Sequence, residues 1–210
     1  MATSSAVKCA LKNGVAVLQI TSPPVNALGA AVRAGLVAGV STNKKVGVIT
    51  VAPDDVAPVK RFIIGFTNGV AEACPACADT VVKECGWADG GFGAPTCGIA
   101  KAQELFPMGV DVIFGAGGYT GSIGITYAAA PVGTTIEYEE TLVPGNATGG
   151  LIPKSIVKSA TFSAAPYVIG VDADEYYTTF KGGTQPGADK IITSALKKVD
   201  IGVQMSIGNY

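Results

Sequence analysis

The chain has 210 residues, 48% hydrophobic and only 15% charged, with 28 glycines and a net charge of −1. It contains no histidine, which removes Ser-His-Asp and Cys-His catalysis and the commonest metal ligand. No basic stripe marks a nucleic-acid surface, and no apolar run approaches the ~20 residues a membrane helix needs, so a buried α/β core accounts for the hydrophobicity.

Residues 1–40 form a first unit. Met1–Ala10 has no apolar h-region, so the expectation is a chain without a signal peptide. Gly14–Ile20 reads as a strand, Ser22-Pro23-Pro24 as a turn, and Ala27–Val40 as a helix rich in Ala and Gly. Ser41–Lys45 is a short polar linker and the best boundary in the chain. Lys45–Val51 then opens a new strand. Asp54 and Asp55 follow it in a loop; paired carboxylates can be catalytic, but just ahead of a helix they are expected to cap its free N–H groups. Val59, Phe62, Ile63, Phe66 and Val70 recur at helical spacing, which predicts a helix over Val59–Ala73 with its aromatics in the core.

Five cysteines are present, and Cys74-Pro75-Ala76-Cys77 forms a C-x-x-C. A thioredoxin-type dithiol opens a helix after a strand, whereas this pair follows a helical pattern. A zinc site needs a second ligand pair, and Cys85 and Cys97 stand twelve apart. Structural thiols or disulfides are therefore the reading, with no metal and no cofactor. Four of the five cysteines fall within 24 residues, and Asn146-Ala147-Thr148 is an N-glycosylation sequon; both are consistent with a secreted or membrane-attached origin, and localisation stays open.

Thr80–Cys85 reads as a strand, Gly86–Gly98 as a loop carrying Trp87, Asp89 and Phe92, and Ile99–Pro107 as a helix stopped by Gly109. Val110–Phe114 is an apolar run without polar alternation, as suits a parallel strand buried on both faces. The loop Gly115-x-Gly117-Gly118-x-x-Gly121 follows it. A dinucleotide fingerprint belongs after the first strand of its unit, with an acidic residue ~20 positions on. Close approach of a helix N-terminus to a polar ligand is therefore the expectation for this loop. Ser122–Ala130 looks helical. Pro131–Pro166 interrupts the pattern and reads as an inserted β-hairpin or ordered loop, with Thr134–Val143 as a strand and Glu137, Glu139 and Glu140 as a solvated face. Tyr167–Val171 is another buried strand, ending in Asp172 and Asp174. Lys190–Leu196 is the last strand, leading through Lys197 into a helix. Ligands of open α/β sheets sit outside the carboxyl ends of the strands, so the glycine loop and Asp172 are expected to form half of a small-molecule cleft.

Two resemblances add to this. The stretch GVAVLQITSPPVNALGAAVRAGL resembles the N-terminal strand, Pro-Pro-x-Asn-Ala loop and first helix of the enoyl-CoA hydratase (crotonase) family, over about the first 40 residues. An enoyl-CoA hydratase/isomerase-type enzyme is thus one functional alternative. Further on, five motifs occur in order: Lys45-Val46-Gly47-Val48; Lys60-Arg61-Phe62-x-x-Gly65-Phe66-x-x-Gly69-Val70; Ala116-Gly117-Gly118-x-x-Gly121; Ile169-Gly170-Val171-Asp172-x-Asp174; and Thr193-Ser194-x-Leu196-Lys197-Lys198-Val199-Asp200. Together they resemble the basic membrane protein family, the nucleoside-binding lipoproteins that serve ABC transporters.

That resemblance implies a type I periplasmic-binding-protein lobe over 41–210, with 131–166 inserted and 1–40 as a separate crotonase-like segment. Its architecture would be three-layer α/β/α on a mainly parallel sheet. It also implies non-catalytic binding of a nucleoside-like molecule. Asp172 would accept from the ribose hydroxyls, Lys197 would donate to them, and Gly117 and Gly118 would admit backbone N–H groups. The competing reading of Asp172 and Lys197 is a salt bridge tying two strand ends. The family's first lobe precedes the Lys45 strand, and here the crotonase-like residues stand in its place. An exposed inter-lobe face, open to self-association, is the corresponding partner expectation, and a structural or assembly protein is the corresponding alternative function.

Overall fold

The computed structural model describes residues 7–12, 15–20, 26–42, 45–77, 79–141, 151–159 and 166–197. In chain order its elements are β1 (Val7–Lys12), β2 (Val15–Ile20), α1 (Asn26–Ser41), β3 (Lys45–Val51), α2 (Ala57–Ala73), β4 (Val81–Cys85), α3 (Pro95–Leu105), β5 (Val110–Ala116), α4 (Gly118–Ala129), β6 (Thr135–Thr141), β7 (Leu151–Val157), β8 (Tyr167–Asp172), α5 (Glu175–Thr178) and β9 (Ile191–Leu196). The sequon at Asn146 and the helix expected beyond Lys197 lie outside the described residues.

Five strands form one parallel sheet in the order β4-β3-β5-β8-β9. Its strands lack polar alternation because both faces are covered, and β3 is buried throughout after Lys45. Successive side chains feed opposite cores. Val46, Val48, Val112, Phe114, Ile169 and Val171 face α1 and α2, whereas Ile49, Ile113 and Val168 face α3 and α4. The result is the expected three-layer α/β/α lobe. The strand order reverses between β3 and β5, and a crevice opens at the carboxyl ends of such a pair.

Both helical layers are closed by glycine. A Cβ on Gly35 of α1 would lie 2.0 Å from the Phe66 carbonyl oxygen of α2, and one on Gly69 would lie 2.3 Å from the Val32 carbonyl oxygen. On the other face, a Cβ on Gly98 of α3 would lie 2.0 Å from the Thr120 carbonyl oxygen of α4. Gly98 was expected in a loop; it sits inside α3, which starts at Pro95 because proline suits the first helical position. α1, within the crotonase-like 1–40 by sequence, packs on α2 and β9 and places Ala31, Ala34 and Ala38 in the same core as Val46 and Phe66. β1 and β2 pair as an antiparallel hairpin ahead of it.

The Asp54–Asp55 pair does not cap α2. The N-cap is Val56, which makes no side-chain cap hydrogen bond. Asp54 instead pairs with Lys60 at 2.8 Å in solvent, and Asp55 accepts from Trp87 Nε1 at 3.0 Å. The cysteines form two disulfides, Cys74–Cys77 and Cys85–Cys97. The second closes the loop that carries Trp87 and Phe92.

The insertion is a hairpin, β6 paired antiparallel with β7. Ile136 and Tyr138 face the α3–α4 core, while Glu137 and Glu139 alternate outward. Lys158, just past β7, is fully buried and fastens the hairpin to the end of α4. Its Nζ donates to the carbonyls of Ala128 at 2.6 Å and Ala130 at 2.7 Å, and stands 5.6 Å from the Phe106 and Tyr127 ring centres. These acceptors are the free carbonyls of a helix C-terminus, where a cation is favoured. Burial pushes its ammonium down to about 8.

Candidate functional site

The site is assembled at the carboxyl ends of β3, β5, β8 and β9. β5 runs directly into α4 through Gly117, its N-cap, and Gly118, which takes φ +53. A Cβ on Gly117 would stand 3.0 Å from Val51, and one on Gly118 would stand 3.3 Å from the Phe92 ring. The left-handed φ favours glycine at Gly118, and the close contacts leave little room for a side chain at either position. Asp172, at the end of β8, takes φ 65, a left-handed conformation uncommon outside glycine. Its carbonyl accepts from Lys197 N–H at 2.9 Å.

A pocket of ≈ 240 Å³ opens at this edge, lined by Pro58, Phe62, Phe92, Gly118, Asp172 and Lys197 among others. Three of the four expected residues, Gly118, Asp172 and Lys197, meet there. The fourth, Gly117, lies behind the lining, against Thr50 and Val51. Among the described residues no ion pair joins the Asp172 and Lys197 side chains; the two strand ends are tied through the backbone. Both side chains are exposed and stand at the pocket rim. Phe62 and Phe92 supply its apolar wall. Asp174, the second acid of the signature, is an N-cap: its carboxylate accepts from Tyr176 N–H at 3.2 Å.

Sequence reasoning missed Glu175. It is 3% exposed, and its Oε1 accepts from Ser122 Oγ at 2.9 Å and Val171 N–H at 3.1 Å. Its Oε2 is buried with no hydrogen-bond partner among the described residues. Burial pushes this carboxyl up to about 7 against the pull of its hydrogen-bond donors, and the charge of Asp172 adds to the rise. Gly170 makes room for it, since a Cβ there would stand 2.7 Å from the Glu175 side chain. Glu175 thus links the turn carrying Asp172 to α4. No charge pattern separates it from the exposed acids beside it; the glycine five residues earlier was the one available signal.

Among the described residues no cluster of three His, Cys, Asp or Glu side chains could hold a metal ion, and no helix is long and apolar enough to cross a membrane. The sheet order, the helical layers and the strand-edge crevice define a three-layer, doubly wound α/β lobe. The chain is similar in structure to an ABC transporter system solute-binding protein from Aeropyrum pernix K1, with a TM-score of 0.51 and 23% identity. The match covers 88% of this chain and 40% of that protein, so the chain spans about two-fifths of the solved structure's length. No protein-family model matches the sequence, and no curated protein does.

Proposed function

We propose that the chain is a solute-binding lobe of the basic membrane protein type, which holds a nucleoside or similar small molecule without chemical change. The observation that carries this reading is the convergence of Gly118, Asp172 and Lys197 with two phenylalanines in one strand-edge pocket. A ribose offers adjacent hydroxyls. A carboxylate accepts from both, and an ammonium donates to the same oxygens. Phe62 and Phe92 offer the base an apolar face. Asp172 is the sole carboxylate lining the pocket among the described residues, which favours binding over hydratase-type acid–base catalysis.

Calorimetric titration with adenosine, inosine and uridine tests the reading. Asp172→Ala and Lys197→Ala should each weaken binding about tenfold, as loss of a charged hydrogen-bond partner does. Unchanged affinity in both variants removes the ribose contact.

The pocket is smaller than the ≈ 300–1,000 Å³ typical of sites that enclose a ligand, so its open side takes a second wall. Trp87, 51% exposed, packs edge-on against Phe92 beside that opening. Its exposure supports the self-association reading, in which a second copy covers this face. Light scattering should then show a concentration-dependent dimer that Trp87→Ser dissociates, and a monomer at every concentration rejects it.

A further inference from the structure

A larger cavity, ≈ 660 Å³, lies on the α3–α4 side of the sheet between the β6–β7 hairpin, α4 and residues 178–185. Its volume falls in the ≈ 300–1,000 Å³ range of small-molecule sites. The lining is chemically mixed and balanced in charge. Glu137 and Glu139 supply two carboxylates, Lys154 and Lys181 two ammonium groups, and Gln185 an amide. Equal and opposite charges give neither an anion nor a cation an advantage. Donors and acceptors stand side by side, as a ligand with many hydroxyls requires, because each hydroxyl both gives and takes a hydrogen bond.

Two details sharpen the ligand class. Tyr119 Oη accepts from Glu139 N–H at 2.9 Å, so its own proton is left to donate, and its ring forms part of the cavity wall. Ile123 is the sole aliphatic residue on the lining among those described, and the remaining apolar surface is the rings of Tyr119 and Tyr138, against which the C–H face of a sugar can pack. Lys181 is also held at φ 50, a conformation that costs free energy outside glycine and collects at binding positions.

We propose that this cavity is a second ligand site, separate from the strand-edge pocket, that takes a neutral polyhydroxylated molecule of the sugar or polyol class. Saturation-transfer NMR and calorimetry on the full chain test it, with glucose, sucrose and myo-inositol as probes and glucuronate and glucosamine as charged counterparts. A neutral probe should bind, and Glu137→Ala and Lys181→Gly should each weaken it about tenfold. Lys181→Gly adopts the positive φ without strain, so its thermal midpoint should hold or rise, which separates lost binding from lost fold. Asp172→Ala should leave sugar binding unchanged. The proposal is overturned if no neutral probe binds up to about 10 mM, if a charged counterpart binds more tightly than glucose, or if Asp172→Ala abolishes sugar binding. The nucleoside reading is tested with different ligands and different residues, so either proposal can fail alone.

Discussion

Glu175 and Asp172 stand three residues apart and show how differently one chemical group behaves in two settings. Asp172 keeps its carboxylate in solvent at the pocket rim. Glu175 has one oxygen paired and the other buried with no partner among the described residues, and its carboxyl is raised to about 7 from 4.5. The folded chain therefore binds this proton more tightly than the unfolded chain. Its contribution to stability is fully present below pH 4.5 and is lost as pH rises through 7. The difference corresponds to about 3 kcal/mol. Urea midpoints should fall between about pH 5 and about pH 8, and Glu175→Gln should flatten that fall; an unchanged slope in the variant would assign it to other groups. Lys158 belongs to the same scale. Lys158→Ala strands two carbonyls and leaves a void, so a loss of about 3 kcal/mol is expected in urea unfolding. Asp172 was legible because it ends an apolar strand run. Glu175 and Lys158 were not, because a one-dimensional charge pattern carries no record of burial.

Elements were easier to read than residues. The five strands of the parallel sheet emerged from Val and Ile runs, and the hairpin from a break in the pattern between Pro131 and Pro166, whereas β1 was not anticipated. Errors fell where glycine serves packing instead of turning. Gly98 looked like loop and proved to be the contact between α3 and α4. Asp54 and Asp55 looked like caps, but the N-cap is Val56, one residue past Asp55 and two past Asp54. The Gly35–Gly69 contact predicts that Gly69→Ala, with its Cβ forced against the Val32 carbonyl, costs about 2 kcal/mol in urea unfolding, where an exposed helical Gly→Ala change would stabilise. The Cys85–Cys97 disulfide closes a loop with a sequence separation of 12, so replacing both cysteines with serine should cost about 3 kcal/mol. It should also weaken any ligand that rests on Phe92, which the same titration would show.

At the scale of the whole molecule, the lobe and its strand-edge pocket followed from sequence pattern, whereas the cavity beside the hairpin did not. That cavity joins residues 119–126, 137–139, 154–155 and 178–185, which no local pattern connects. The position of α1 has its own consequence, in the order of events during synthesis. α1 packs against β9, and Ala30, Ala34 and Val37 face Thr193 and Leu196 across a small pocket. Their partner strand is made about 150 residues later, a delay of roughly ten seconds or more at ribosomal rates. α2 can cover one flank of α1 early; the other flank waits. A nascent chain arrested before Ile191 should therefore expose an apolar helix face that holdase chaperones can grip, and the finished chain should not.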